Sequence, residues 1–244
     1  MEQVIVVDQL SKSYGPVKAV SNLSFSVEKG SIFGLLGANG AGKSTTIECI
    51  LGTKKMKTGT VSILGCNPVT NRKELFERVG VQFQEANYQE NIRVEELCKV
   101  TAALYKNPLD YKELLHKFGI GDKKKTLVKE LSGGQKQRLF IILALIPNPE
   151  VVFLDELTTG LDARARRDVW KSIKGLKEQG ITILLTSHFM DEVELLCDRI
   201  CILKKGTVAF MGTVKEAIEK SPYDKLEDAY LWYSEEEVVD YESL

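Results

Sequence analysis

Cysteine and histidine are both scarce in this chain. The five cysteines (Cys49, Cys66, Cys98, Cys197, Cys201) are odd in number and contain no C-x-x-C spacing. A disulfide framework is therefore not expected, and the thiols read as reduced and cytosolic. The two histidines are His116 and His188; His116 lies in an amphipathic stretch and is assigned no role. No apolar run approaches the length of a membrane span, and the N-terminus does not read as a secretory signal. Neither sign of charge is in excess: 33 basic residues face 34 acidic ones. A nucleic-acid partner is therefore not expected. The short basic clusters Lys123–Lys125 and Lys54, Lys55, Lys57 read as solvated loops. Internal repeats and low-complexity linkers are also missing. What remains is a chain of 244 residues, enough for one substantial core with a subdomain.

Against these absences stand three ordered segments: GANGAGKS at Gly37–Ser44, LSGGQKQR at Leu131–Arg138 and VVFLDE at Val151–Glu156. The first has the form G-x-x-x-x-G-K-[ST], a phosphate-binding loop. In a chain of this length it arises by chance with a probability of about one percent. Its flanks fit: Ser31–Leu36 (SIFGLL) suits a buried strand, and Ser44–Leu51 (STTIECIL) suits the helix that should follow. Glycines at 37, 40 and 42 let successive N–H groups converge on phosphate oxygens. The helix start adds its positive dipole end. Lys43 supplies a charge to the β- and γ-phosphates, and the Ser44 hydroxyl is placed for Mg²⁺. The candidate nucleotide contacts are thus Gly37, Ala38, Asn39, Gly40, Ala41, Gly42, Lys43, Ser44 and Thr45.

Val151–Leu154 is apolar without alternation, as expected for a parallel strand covered on both faces. Asp155 then falls at the strand's carboxyl end, where open α/β sheets bind ligands, and is a candidate to hold Mg²⁺ through a water. Glu156 is the candidate to orient or deprotonate an attacking water. The middle segment is a surplus. Ser132-Gly133-Gly134-Gln135 is a capping box in which two glycines open a helix. Adjacent glycines in a first turn cost stability, so they are expected where a phosphate must approach the backbone closely.

LSGGQ between these two motifs resembles the signature of the ATP-binding cassette (ABC) ATPases, and the resemblance covers about residues 1–220. Tyr14 resembles the family's aromatic residue that stacks on adenine. Gln84 in VGVQFQE resembles the glutamine of its Q-loop, Gly160-Leu161-Asp162 its D-loop, and His188 in TSH its switch histidine. The chain departs from the family pattern at Leu157, where proline is common, and at Thr159-Gly160, where Ser-Ala is common. The resemblance implies that Ser132, Gly133, Gly134, Gln135 and Asp162 of one protomer meet ATP held by the other. It places Glu156, His188, Lys43 and Gln84 in catalysis, and Ser44, Gln84 and Asp155 around Mg²⁺. It also implies a homodimer or pseudo-symmetric heterodimer, and separate transmembrane permease subunits. The chain would then be cytoplasmic, peripheral on the inner face of the cell membrane. The alternative is a soluble ABC ATPase acting on a cytosolic assembly such as iron–sulfur cluster building.

The expected fold is α/β. A P-loop NTPase core has its parallel sheet flanked by helices, with an N-terminal antiparallel β layer and an inserted helical subdomain. Val4–Val7, Val20–Val27 and Thr60–Leu64 read as the antiparallel strands that cradle the base. Helical periodicity over Val94–Leu104 and Tyr111–Phe118 marks the insertion, bounded at about residues 85–145 within a nucleotide-binding domain of residues 1–220. Arg199–Leu203 and Thr207–Phe210 read as a hairpin, and Thr213-x-x-Glu216 as a further capping box. Residues 221–244 form a helical, then acidic tail. Its KLEDAYLWY resembles the LED-x-[FY]-L ending of cassettes in the drug- and antibiotic-export branch.

Overall fold

A computed structural model describes residues 2–82, 88–89 and 91–234. Strands β1 (Gln3–Tyr14) and β2 (Val17–Glu28) pair as a hairpin. β3 (Ile32–Gly37) then leads through the glycine loop into α1 (Lys43–Ile50). β4 (Thr58–Ile63) returns to pair antiparallel with β1, closing a three-stranded sheet of order β2-β1-β4. β1 is longer than its alternation suggests. Gln9 takes φ 49° and the register with β2 shifts between Val7 and Leu10, so the inward-outward pattern breaks while the pairing continues.

The chain then runs through α2 (Arg72–Leu75), β5 (Val79–Gln82), α3 (Val94–Ala102), α4 (Tyr111–Lys117) and α5 (Gly133–Leu145). Strand and helix alternate through β6 (Val151–Leu154), α6 (Ala163–Glu178), β7 (Thr182–Thr186), α7 (Met190–Leu196) and β8 (Arg199–Lys204). β9 (Thr207–Gly212), α8 (Val214–Glu219) and α9 (Leu226–Ser234) complete the described chain. The second sheet has the order β5-β6-β7-β3-β8-β9, parallel except for β9. Among the described residues no helix is long and apolar enough to cross a membrane.

The unbroken apolar runs of the central strands have a plain cause. Val151 and Phe153 of β6 and Leu184 of β7 enter a core shared with the antiparallel sheet and α1. Val152, Leu154, Ile183 and Leu185 point the other way, into a core made with α3 to α6. Each strand is thus covered on both faces, and burial removes the need for alternation. A third cluster joins Ile200, Ile202 and Phe210 to Ala217 of α8 and to Leu226 of α9. Tyr233 of α9 packs against Phe210 with the rings tilted and their centroids 4.9 Å apart, and it donates to the Ala217 carbonyl at 3.2 Å, while Leu231 and Trp232 stay exposed. The five cysteines are all free thiols. Burial pushes Cys98 and Cys201 up to about 12, which keeps both unreactive.

Gly80 sits where α5 presses on β5. A Cβ there would lie 2.0 Å from the Ala144 carbonyl oxygen, and neither backbone can withdraw without opening the core. Gly80→Ala is expected to lower stability by about 3 kcal/mol, the upper range for overpacking. The urea midpoint of the variant checks this; an unchanged midpoint would mean that α5 moves freely.

Candidate functional site

The parallel strands place their carboxyl ends along one edge. Leu35 of β3 pairs with Thr186 of β7, and Leu154 of β6 with Leu185, so Gly37, Asp155 and Ser187 leave the sheet together. The glycine loop wraps this edge. Gly40 takes φ 80° with open space around it, so its backbone conformation alone calls for glycine. Gly42 takes φ 106°, and a Cβ there would lie 2.5 Å from the Ala19 carbonyl, which ties the loop to β2. Gly42 is also the N-cap of α1 and offers no side-chain acceptor, leaving the first N–H groups of the helix for an anion. Asn39, Gly40, Gly42, Lys43, Ser44 and Thr45 line a cavity of about 560 Å³ with Glu156 and His188 across it.

Inside this cavity Lys43 is buried and folds back on its own loop. Its Nζ donates to the Gly37 carbonyl at 2.8 Å and the Ala38 carbonyl at 3.3 Å, and lies 3.9 Å from Glu156 Oε1. Burial pulls the ammonium below its ordinary range, opposed by the charges of Glu156 and Asp155. Burial likewise raises Asp155, opposed first by the Thr186 hydroxyl, which donates to its Oδ1 at 2.6 Å. The Ser44 hydroxyl also acts on this carboxylate, so the acid and the start of α1 face each other. The Glu156 N–H donates to the same Thr186 hydroxyl at 2.9 Å, and Glu156 takes φ 48°, which turns it away from the strand. Its carboxylate then meets His188 Nε2 in a hydrogen bond. The arrangement gathers a phosphate cradle, an ammonium, a buried acid and an acid–imidazole pair within one cleft.

The LSGGQ segment lies elsewhere. Ser132 caps α5, its Oγ accepting from the Gln135 N–H at 3.3 Å while Gln135 Oε1 accepts from the Ser132 N–H at 3.0 Å. Ser132, Gly133 and Gly134 line a second cavity of about 380 Å³ with Gly160, Leu161 and Asp162. No lining residue is common to the two cavities.

The sequence pattern of the family described as ABC transporter matches residues 20–159. The chain belongs to the ABC transporter family. Curated relatives agree. The Nod factor export ATP-binding protein I of Burkholderia orbicola (strain AU 1054) is 40% identical over 216 residues, covering 86% of this chain and 71% of that protein. Its namesake in Rhizobium meliloti (strain 1021) is 42% identical over 208 residues, covering 83% and 62% respectively. A solved ATP-binding subunit of an ABC transporter superposes with a TM-score of 0.85 at 26% identity, covering 94% of this chain and 99% of that one. An ATP-binding cassette in its ADP conformation gives 0.80 at 25% identity, covering 95% and 99%. The cassette is therefore the ATP-binding, ATP-hydrolysing subunit of a transporter.

Not every residue proposed from sequence falls in these cavities. Gln84 lies outside the described residues. Tyr14 stands half-exposed at the tip of the β1–β2 hairpin with Lys12 and Lys54 over its ring at 4.9 and 5.4 Å, while Ala19 of the same hairpin lines the phosphate cavity. Asp162 caps α6 by accepting from the Ala165 N–H at 2.8 Å, and lines the second cavity as well. The two adjacent glycines at the start of α5 differ in what they are for. A Cβ on Gly134 would lie 2.9 Å from Ala165 Cβ, so that glycine is required by the packing of α5 on α6 whether or not a phosphate approaches. Gly133, facing only Leu161 at 3.4 Å, is not constrained in this way. Sequence reasoning missed Thr186 and Thr159. Thr186 is a buried polar residue at the carboxyl end of the apolar run Ile183–Leu185, and that was the available signal.

Proposed function

We propose that this cassette powers export through separate membrane subunits, by the closing of two copies head to tail on two ATP molecules. The carrying observation is the division of one chain's anion-binding equipment between two cavities that share no residue. A phosphate loop and a glycine-opened helix start, both solvent-facing, become one site when a two-fold partner brings the second to the first. ATP then contacts both copies and favours the closed pair by its differential affinity. Export follows from the names of the relatives and from the KLEDAYLWY tail.

Within the closed site each residue has a task. The γ-phosphate displaces Lys43 from the carbonyls of Gly37 and Ala38 and from Glu156, so the ammonium meets the phosphate and the carboxylate is released toward water. Glu156 takes the proton of the water whose oxygen attacks the γ-phosphorus, the bond to the bridging oxygen breaks so that ADP leaves, and His188 orients Glu156 and the transferred phosphoryl group. Ser132 and Gly133 of the partner, at a helix N-terminus, stabilise charge on the transferred group. Tyr14 stacks on the base. The donors for a cation would be hard oxygens, Ser44 and Asp155; Gln84, expected from sequence as a third, lies outside the described residues. Among the described residues no cluster of three or more His, Cys, Asp or Glu offers a protein-only cage. Hard oxygens of this kind suit Mg²⁺, which would take its remaining ligands from phosphates and water and would supply neutralisation of phosphate charge.

The membrane partner is expected to dock on the helical insertion, where Val100 and Leu104 are exposed. Leu104→Cys, crosslinked in cells, should capture a protein with several membrane spans, and the cassette should sediment with membranes when that protein is co-expressed. Capture of soluble proteins alone would favour the cytosolic-assembly alternative.

A further inference from the structure

Three charged side chains are fully buried among the described residues: Lys43, Asp155 and Glu192. Lys43 lines the phosphate cavity, and Asp155 stands beside it at the end of β6, bonded to Thr186 and facing Ser44. Glu192, 2% exposed on α7, lines neither cavity, and nothing in the acidic run MDEVE sets it apart in the sequence. A buried carboxylate is costly unless its oxygens are bonded, and an apolar side chain would fill the same space at less cost. Burial does push this carboxyl upward, against hydrogen bonds that pull it back.

Both oxygens are engaged, by different elements. Oε1 accepts from the indole N–H of Trp170 on α6 at 2.8 Å. Oε2 accepts from the hydroxyl of Ser187, which is itself 2% exposed. Ser187 Oγ in turn accepts from the Phe189 N–H at 3.0 Å. The residue between Ser187 and Phe189 is His188. The backbone is thus pinned on both sides of the histidine through a single carboxylate. α6 adds a second grip, since the Arg166 guanidinium lies 4.4 Å from the Phe189 ring centroid. α6 begins at the Asp162 cap, directly after Gly160 and Leu161 of the second cavity.

We infer that Glu192 is a positioning residue: by joining Ser187 to Trp170 it fixes the 187–189 segment on α6 and so holds His188 against Glu156. The inference rests on the catalytic reading of His188 above. It makes α6 the part that links the histidine of one cavity to the loop that lines the other. Leu or Met at position 192 would pack, but would leave the Ser187 hydroxyl free to turn and the histidine backbone unpinned.

The test compares Glu192→Gln, Ser187→Ala and Trp170→Phe in the full chain, alone and combined with His188→Ala. ATP turnover, ATP affinity and melting temperature are measured for each. Glu192→Gln and Ser187→Ala are each expected to lower kcat about tenfold, the size of one lost charge-assisted hydrogen bond. ATP affinity should change less than about twofold, because no atom of the clamp touches the phosphate loop. Trp170→Phe keeps an aromatic ring, though a smaller one, and deletes the indole N–H donor, so it should lower kcat in the same direction by less. In the His188→Ala background none of the three should add more than about a twofold loss, as expected for residues acting through one group. If Glu192→Gln does not fold, the Ser187 and Trp170 variants decide. An unchanged kcat with a lowered melting temperature would make Glu192 a core residue and overturn the inference, as would losses that multiply with that of His188→Ala. A fully active His188→Ala protein would overturn the catalytic reading itself, and this inference with it.

Discussion

Glu156→Gln should reduce ATP turnover about a thousandfold, within the range for losing a positioned base. ATP binding should survive. The amide keeps the size of the carboxylate and an acceptor for His188, but it cannot take a proton from water. Glu156 lies between His188 Nε2 and the Lys43 ammonium, which is 3.9 Å away, so its charge is fixed at one spot in the cleft. Binding is proposed to depend on the loop backbone, Lys43 and Ser44, none of which changes. Phosphate release and equilibrium ATP binding, measured on the same preparation, separate the two effects. Turnover within about tenfold of wild type would assign the proton to another group.

Lys43→Ala should act on binding as well as on turnover. The Lys43 ammonium lines the cavity and is proposed to meet the phosphates there; burial already disfavours its charged form, so its alignment with an anion should be worth more than that of a surface lysine. ATP affinity is expected to fall about a hundredfold, and turnover to become undetectable. Titration with ATP by calorimetry, with and without Mg²⁺, measures the loss. Retention of wild-type affinity would remove Lys43 from the phosphate contacts and leave it as a packing element bonded to the Gly37 and Ala38 carbonyls.

How far the sequence could be read follows from the range of the interactions. The glycine loop, the capping box at Ser132 and the acid pair after Val151–Leu154 are local patterns, each written in consecutive residues. The doubly covered strands were legible for the same reason. Long-range contacts were not. Thr186 bonds Asp155 across 31 positions, and Gln82 Oε1 accepts from the Asp155 N–H across 73. Glu192 has no local mark of burial, because one of its two partners, Trp170, lies 22 positions away. The bulge at Gln9 hid half of β1, because a register shift erases alternation without ending the strand. Gly134 carried a phosphate argument that packing on Ala165 already accounts for. Gly80, in the middle of a strand pattern, gave no sign of the Ala144 carbonyl behind it.

The central claim is that one chain supplies half of each of two nucleotide sites. Size-exclusion chromatography of the Glu156→Gln protein with Mg-ATP tests it most directly. With hydrolysis blocked, ATP stays in the interface, and the protein should elute as a dimer that returns to monomer when nucleotide is removed. Ser132→Arg, added to the same chain, puts bulk and charge at the exposed helix start that must meet the partner's γ-phosphate. It also removes a helix cap, at a cost of about 1 kcal/mol, so the melting temperature is followed alongside. The double variant should bind ATP as a monomer and form no dimer. An ATP-dependent dimer that persists unchanged with Ser132→Arg would contradict the shared site.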